Sequence, residues 1–215
     1  MLLPGKRLKA IYEMVKGGTV ADIGTDHALL PVALVESGRC ESGFACDIGE
    51  GPLQSATKTV VAAGLDDKIP RVLYDGIPPQ CRACDTVVIA GMGGLLISDI
   101  LARCPVSEHT QLLLQPMTKA SSLRRWLTEN GYGIKREVYV KEGKMRYVIL
   151  DAHRGKSEPY TQAEIEVGKF TGCAVGKEYV AHRLTMLRLR RDSESAAGRQ
   201  VDELDALIKE LEKLV

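Results

Sequence analysis

Short apolar segments alternate with helix-like segments along roughly the first 150 residues, and this alternation restricts the fold more than any other feature of the sequence. Residues 86–90 and 111–114 are runs of Val, Ile, Leu and similar residues without a polar/apolar alternation. Such runs are typical of strands that are buried on both faces of a sheet. The order of the segments therefore predicts a doubly wound α/β domain with a mainly parallel sheet.

The α/β pattern ends in a hairpin. Strands are expected at residues 19–23, 42–48, 71–74, 86–90 and 111–114, and helices at 28–37, 51–63, 95–103 and 121–130. Residues 134–140 and 146–151 are two further strand-like segments, separated only by Lys-Glu-Gly-Lys-Met. So short a connection joins antiparallel strands, and the last strands of the sheet are predicted to be antiparallel.

After Pro159 the sequence pattern becomes helical. Thr161 and Glu164 have the spacing of a capping box, which begins a helix. Apolar residues then recur at spacings of three and four, as in a coiled-coil seam: Val201, Leu204, Ile208, Leu211 and Val215, with Val180, Leu184 and Leu187 as a facing stripe. We therefore predict two domains, an α/β domain at 1–157 and a small helical coiled-coil domain at 158–215.

The composition indicates a globular protein, with 45% hydrophobic and 27% charged residues. No apolar run approaches the roughly 20 residues that cross a bilayer. The first residues are interrupted by Pro4 and Gly5, unlike a signal peptide. We expect a cytoplasmic protein with no membrane partner.

Six cysteines are spread along the chain. Cys81 and Cys84 have a spacing found in metal and redox sites, but no second pair or suitably spaced histidine follows. We expect reduced, structural thiols and no metal site.

Positive charge is concentrated in the middle of the chain. The net charge is +1, yet residues 116–156 hold ten basic and four acidic side chains. Such a segment either faces a polyanion or forms an ordinary solvated surface. A second basic group follows in the helical tail.

Polar residues and glycines lie at the carboxyl ends of the predicted strands, where open α/β sheets bind ligands. With the apolar Ile48 and Met92 among them, the candidate residues are Asp22, Gly24, Thr25, Asp26 and His27 at the end of the first strand, Asp47 and Ile48 at the end of the second, Asp75 and Gly76 at the third, and Gly91, Met92, Gly93 and Gly94 at the fourth. A carboxylate such as Asp47 can accept hydrogen bonds from both hydroxyls of a ribose.

The first of these loops is acidic. It lacks the second and third glycines of a dinucleotide-binding loop, and Asp26 would repel a pyrophosphate. This disfavours NAD and FAD. A positively charged nucleoside without phosphate, such as S-adenosylmethionine, suits the loop better.

Several blocks of sequence together resemble one family. They are Val-Ala-Asp-Ile-Gly-Thr-Asp-His-Ala-Leu-Leu-Pro from Val20, Ala-Cys-Asp-Ile-Gly-Glu-Gly-Pro-Leu from Ala45, Tyr-Asp-Gly from Tyr74, Val-Ile-Ala-Gly-Met-Gly-Gly from Val88 and Leu-Leu-Gln-Pro from Leu113. In this order they are similar to the bacterial tRNA (adenine-22-N1)-methyltransferases of the TrmK type. The resemblance implies a Rossmann-like class I methyltransferase fold, bound S-adenosylmethionine and a tRNA substrate.

The resemblance also assigns site residues. Asp22, Gly24 and Thr25 would shape the loop under the methionine part of the cofactor, Asp47 and Ile48 would hold ribose and adenine, and Asp75 and Gly76 would meet the adenine amino group. Gly91 and Met92 would lie beside the transferred methyl group, and Arg7, in an N-terminal helix, would reach the methionine carboxylate.

The loop at Gly91 differs from the Asn/Asp-Pro-Pro-aromatic motif of many enzymes that methylate exocyclic amines. Adenine N1 carries a lone pair and no proton, so it needs alignment and nearby negative charge rather than a general base. Asp26 is the candidate for that charge. His27 either contacts the base or the cofactor carboxylate, or packs locally at a helix start.

N1 lies on the pairing edge of adenine, so the target base must be unpaired or flipped out. The residues expected to face tRNA phosphates are basic: Arg124, Arg125, Lys144, Arg146, Arg183, Arg188, Arg190 and Arg191. A small-molecule methyltransferase and a non-catalytic S-adenosylmethionine-binding module remain as alternatives.

Overall fold

The computed structural model describes residues 3–156, 158–169 and 173–215. The chain divides into two compact units, residues 1–157 and 158–215. The elements of the first unit are α1 (Gly5–Met14), β1 (Thr19–Ile23), α2 (Leu29–Glu36), β2 (Ser42–Asp47), α3 (Glu50–Ala62), β3 (Arg71–Leu73), β4 (Thr86–Gly93), α4 (Gly94–Arg103), β5 (Gln111–Thr118), α5 (Ala120–Glu129), β6 (Tyr132–Glu142) and β7 (Met145–Arg154).

The first unit is built on a seven-stranded sheet with the order β3-β2-β1-β4-β5-β7-β6. Strands β1 to β5 pair in parallel, and β7 pairs antiparallel with both β5 and β6. The predicted α/β fold with a final antiparallel hairpin is confirmed. The strand order reverses between β1 and β4, and this switch point is where a sheet of this kind binds its ligand.

Helices cover the sheet in two groups. Helices α1, α2 and α3 contact one another in sequence, and α4 packs against α5. The crossovers run from β1 through β2 to β3 on one side of the switch point and from β4 to β5 on the other. Because both sets are right-handed, their helices lie on opposite faces of the sheet. The core beneath α1 and α2 is formed by fully buried side chains of the central strands, Val20, Val88, Leu113 and Ile149.

The second unit is helical within its described residues, with α6 (Gln162–Val167), α7 (Ala174–Ala196) and α8 (Asp202–Glu212). Thr161 and Glu164 form the predicted capping box at the start of α6. Helix α7 buries the predicted stripe of Val180, Leu184 and Leu187. Helix α8 buries Ile208 and Leu211 of its predicted seam, whereas Val215 is exposed.

Strand β4 differs from its predicted bounds because it continues through Gly93. Its last residues pair with β5 through shifted registers around Met92. Gly91, between them, has φ +84°, a conformation that glycine adopts without strain. The register shifts and the conformation of Gly91 are those of a β-bulge. A bulge adds one residue to a strand, which bends the strand without ending its pairing.

Candidate active site

The turn after β1 is held by the end of β2. The backbone amides of Gly24 and Thr25 both donate to the carbonyl oxygen of Cys46, at 2.8 and 3.0 Å. The amide of Ala28 donates to the Thr25 hydroxyl at 3.1 Å. Gly24 itself has φ +78°. These bonds give the turn at the switch point one well-defined backbone shape.

Asp22 is a partly buried carboxylate just before this turn. Burial is the largest effect on Asp22 and raises its pKa to about 6. A hydrogen bond with the Thr25 side chain and the charge of Arg7 lower this pKa, and the charge of Asp47 raises it. A carboxylate that is disfavoured by burial is stabilised by any additional cation. Asp22 is therefore suited to bind a positively charged ligand group.

Arg7 reaches the strand ends from α1. Its Nη1 donates to Oε1 of Gln115 at 2.7 Å, and its guanidinium carbon lies 5.7 Å from the ring centroid of Tyr147. The backbone amide of Arg7 donates to Oε2 of Glu142 at 3.0 Å, so that a carboxylate from β6 caps the first turn of α1. Arg7 brings positive charge close enough to Asp22 to affect its pKa.

Strand β2 ends at the carboxylate of Asp47, and the exposed apolar side chain of Ile48 comes next. The amide of Gly49 donates to Oδ1 of Asp47 at 2.7 Å, which restrains the carboxylate. Ile48 exposes 71% of its surface, a large fraction for an isoleucine. Together they offer hydrogen-bond acceptors for a sugar and an apolar surface for a base.

Asp75 lies near the end of β3 and is already engaged. Arg103 on α4 donates to both of its carboxylate oxygens, at 3.2 and 3.3 Å. A ligand at Asp75 must therefore share the carboxylate with Arg103. Gly76 has φ +100°, and a Cβ at this position would lie 3.0 Å from Sγ of Cys104.

The end of β4 meets the turn after β1. The amide of Gly91 donates to Oε1 of Gln115 at 3.2 Å. The terminal methyl group of Met92 occupies the space that a Cβ of Gly24 would need. The structure thus brings Gly24 together with Gly91 and Met92 at the switch point, although Gly24 is far from both in the sequence.

Asp26 and His27 follow the turn directly. Their side chains are 78% and 53% exposed, and Oδ2 of Asp26 lies 3.3 Å from Nε2 of His27. The pair is thus an accessible acidic and imidazole group next to Thr25. An accessible group of this kind can contact a large substrate without a rearrangement of the core.

Leu95, Leu96 and Met117 are exposed apolar residues at the ends of the central strands. They expose 61%, 49% and 42% of their surfaces. Leu95 and Leu96 lie in the first turn of α4, directly after the β4 bulge, and Met117 is in the last part of β5, which pairs with this bulge. Exposed apolar side chains next to a polar site are typical of a surface that binds an aromatic ligand.

Three thiols are buried: Cys46 in β2, and Cys81 and Cys84 in the segment before β4. Sγ of Cys46 is 3.8 Å from Sγ of Cys81. The hydrogen bond with Cys46 and burial raise the pKa of Cys81 to about 12, and the hydrogen bond with Cys81 and burial also raise the pKa of Cys84. Thiols of this kind are unreactive. Within the described ranges no group of three or more His, Cys, Asp or Glu residues could hold a metal ion.

The prediction that Arg124 faces tRNA was wrong. The side chain of Arg124 is fully buried and pairs with Glu137 at 2.7 Å across α5 and β6. A buried guanidinium needs this partner because removing a charge from water is costly. Nearby, Arg125 and Lys144 are exposed and Arg146 is partly buried.

The basic residues predicted on the helical tail all have acidic neighbours within their own unit. Arg183 pairs with Glu166, Arg188 with Glu212, Arg190 with Glu194, and Arg191 with Asp192 and Asp205. These pairs compensate much of the positive charge that the sequence suggested.

Gln115, Tyr147 and Glu142 are residues of the site that the sequence interpretation missed. Gln115 and Tyr147 contact the Arg7 guanidinium, and Glu142 accepts a hydrogen bond from the Arg7 backbone amide. Gln115 also accepts a hydrogen bond from the backbone amide of Gly91. A signal was present for Gln115, since it is a polar residue that ends the apolar run Leu112-Leu113-Leu114 at the ligand-binding edge. Tyr147 and Glu142 carried no such signal in the sequence.

Comparison with known proteins identifies the family of this chain. Residues 4–150 match the methyltransferase domain family. The chain is 34% identical over 178 residues to the tRNA (adenine(22)-N(1))-methyltransferase of Bacillus subtilis, and the match covers 80% of this chain and 75% of the relative. The chain belongs to this methyltransferase family. The resemblance stated from the sequence blocks is thereby confirmed.

Solved structures of the family share the whole architecture. A Streptococcus pneumoniae protein with a provisional assignment as a tRNA (m1A22) methyltransferase matches with a TM-score of 0.88 and 30% identity over 99% of both chains. Its complex with S-adenosyl-L-methionine matches with a TM-score of 0.84 and 29% identity over 99% of both chains. TrmK of M. capricolum, in complex with S-adenosyl-homocysteine, matches with a TM-score of 0.83 and 26% identity over 99% and 97% of the two chains.

Among the helices that the structure describes, none is both long and apolar enough to cross a membrane. The longest of the described helices, α7, carries many charged residues along its length.

Proposed function

We propose that this chain transfers the methyl group of S-adenosylmethionine to N1 of adenine 22 in tRNA. The observation that carries the proposal is the position of the Arg7 guanidinium, which Gln115 holds at the strand ends and whose charge acts on the partly buried Asp22 carboxylate and lowers its pKa. These groups complement the carboxylate and the ammonium group of an amino acid. The family relatives with this activity support the same conclusion.

The residues of the site fit this cofactor. Arg7 would hold the methionine carboxylate, and Asp22 would bind its ammonium group. Asp47 would accept hydrogen bonds from the ribose hydroxyls, and the exposed Ile48 would cover the adenine. A dinucleotide would place its diphosphate near the acidic groups Asp22, Asp26 and Asp47, which would repel it.

The reaction needs positioning and charge more than proton transfer. When bound, S-adenosylmethionine supplies an electrophilic methyl group. Adenine N1 already has a lone pair in the ring plane, so the chain has no proton to remove before transfer. Leu95, Leu96 and Met117 offer an apolar surface that can align a flipped base. The exposed Asp26 carboxylate can stabilise the ring as it becomes cationic.

The same proposal assigns the two units to two domains. Residues 1–157 form the methyltransferase domain, and residues 158–215 form a C-terminal helical coiled-coil domain. On the first unit the exposed Arg125 and Lys144 are suited to contact phosphates. With tRNA as the proposed substrate, we also propose a cytoplasmic enzyme.

Nucleoside analysis of treated tRNA tests the reaction, the atom and the position together. Purified protein incubated with labelled S-adenosylmethionine and an unmodified tRNA with adenine 22 is expected to yield 1-methyladenosine. The same tRNA with guanine 22 is expected to yield none, because guanine carries a proton on N1 and different groups on its pairing edge. Equal label in both tRNAs would disprove the position. Cofactor binding with no transfer to any tRNA would indicate a non-catalytic module.

Cofactor binding is expected to weaken in mild acid. The pKa of Asp22 is about 6 in the folded protein, and a bound cation stabilises only its ionised form. The dissociation constant for S-adenosylmethionine should therefore rise about tenfold between pH 7 and pH 5, as Asp22 is protonated. Calorimetry at both pH values measures this change.

Asp22→Asn is the control for this pH dependence. The variant should bind the cofactor weakly at pH 7, with little further loss at pH 5. A steep pH dependence of cofactor binding that persists in Asp22→Asn would contradict the assignment.

The effect of Asp22 on folding stability has the opposite sign. Because the pKa of Asp22 is raised in the folded protein, ionised Asp22 destabilises the fold above pH 6, and this destabilisation is removed as the pH falls from 6 toward 4.

A further inference from the structure

Gln115 is a fully buried polar side chain at the end of β5, and all its polar atoms are engaged. Its Oε1 accepts hydrogen bonds from Nη1 of Arg7 at 2.7 Å and from the amide of Gly91 at 3.2 Å. Its Nε2 donates to the carbonyl oxygen of Pro116 at 3.0 Å. A second contact of Nε2 reaches Sδ of Met117 at 3.6 Å.

These partners leave the amide only one orientation. Arg7 and the Gly91 amide can only donate, so they must face the oxygen, and the Pro116 carbonyl can only accept, so it must face the nitrogen. A rotation of the amide by 180° would leave donors facing a donor inside the protein. Gln115 is therefore a rigid acceptor shared by the N-terminal helix and the bulge of β4.

We propose that Gln115 is a positioning residue that aims the Arg7 guanidinium at the amino-acid carboxylate of the bound nucleoside. Tyr147 supports one face of the same guanidinium, while the oxygen of Gln115 fixes its direction. The bond to Gly91 couples this anchor to the loop of β4. This inference rests on the proposed function, since it requires an S-adenosyl nucleoside as the ligand.

Gln111 offers a matched control on the same strand. It is also buried, with Nε2 donating to the Met14 carbonyl at 3.1 Å and Oε1 accepting from the Lys16 amide at 3.2 Å. Gln111 thus binds the chain at the C-terminal end of α1, and it does so from the amino end of β5. A variant at this position weakens the docking of the helix without touching the Arg7 guanidinium.

The test compares two ligands in three proteins by calorimetry: S-adenosylhomocysteine, which has the amino-acid tail, and 5′-methylthioadenosine, which lacks it. In Gln115→Met the dissociation constant for S-adenosylhomocysteine should rise about tenfold, as expected when a charged hydrogen bond loses its alignment, and that for 5′-methylthioadenosine should change less than twofold. In Gln111→Met both constants should stay within twofold of wild type, despite a similar loss of thermal stability.

A double-mutant cycle with Arg7→Met completes the test. If Gln115 acts through Arg7, Gln115→Met should have less than a twofold effect on S-adenosylhomocysteine binding in the Arg7→Met background. Equal losses for the two ligands, equal losses in Gln111→Met, or additive losses in the cycle would overturn the proposal.

A further variant covers the case in which Gln115→Met does not fold. Gln115→Glu places a negative charge beside Arg7 that competes with the ligand carboxylate, so it too should weaken only the ligand with the tail. Equal effects on the two ligands would again overturn the proposal. Wild-type binding of S-adenosylhomocysteine is measured first, and its absence would instead refute the proposed function.

Discussion

Replacing Gly24 by alanine is expected to raise the dissociation constant for S-adenosylhomocysteine about a hundredfold. Two effects combine at this position. Gly24 has φ +78°, and a residue with a Cβ is disfavoured there by roughly 1–2 kcal/mol. The new Cβ would also overlap the terminal methyl group of Met92. Met92 must then move within the site, and the turn that carries Thr25 loses its shape.

Gly38→Ala separates these two effects. Gly38 has nearly the same backbone conformation, with φ +72°, but a Cβ there would meet nothing within 4 Å. The control should lose a similar amount of thermal stability and keep its affinity. Calorimetric titration of both variants gives the comparison. A Gly24→Ala affinity within threefold of wild type would show that the turn does not approach the ligand.

Asp26→Ala is expected to lower the turnover number about a hundredfold and to change the dissociation constant for S-adenosylhomocysteine less than threefold. Loss of a carboxylate beside a developing cation has an effect of this order once the bound tRNA excludes water from Asp26. Asp26 is exposed beside His27, so its removal leaves no cavity. Asp47→Ala should do the reverse and weaken cofactor binding tenfold or more, because a charged acceptor for the ribose is lost.

Steady-state methylation at saturating tRNA and cofactor measures the turnover number, and calorimetry measures the dissociation constant. Asp67→Ala removes the same charge from an exposed loop between α3 and β3 and should change neither quantity. If both Asp26→Ala and Asp47→Ala lose only cofactor affinity, Asp26 has no part in the methyl transfer step.

The sheet could be predicted from the sequence because its signals are local. Runs such as residues 86–90 and 111–114 are too short for a buried helix and predict strands buried on both faces, and the short connection before Met145 indicates a hairpin. The continuation of β4 through Gly93 could not be predicted, because glycines have no strand preference of their own. Pairing with β5 keeps Met92 and Gly93 in the strand beyond the bulge at Gly91.

The site was predicted where it depends on strand ends and missed where it depends on partners from distant segments. Asp22 and Asp47 could be predicted because they lie at the carboxyl ends of β1 and β2. The burial of Arg124 depends on Glu137, which lies on another element and gives no signal in a linear pattern. The same holds for Glu142, whose carboxylate caps α1 from the far end of β6.

The two glutamines of β5 make the lengths of α1 and β5 interdependent. Gln115 binds the side chain of residue 7, and Gln111 binds the backbone at residues 14 and 16. The four-residue step from Gln111 to Gln115 spans about 13 Å in a strand. At helical rise, the seven to nine residues from Arg7 to Met14 and Lys16 span about 10–14 Å. An insertion or deletion in either element would break one of the two attachments, so evolution can change the spacing in α1 only together with that in β5.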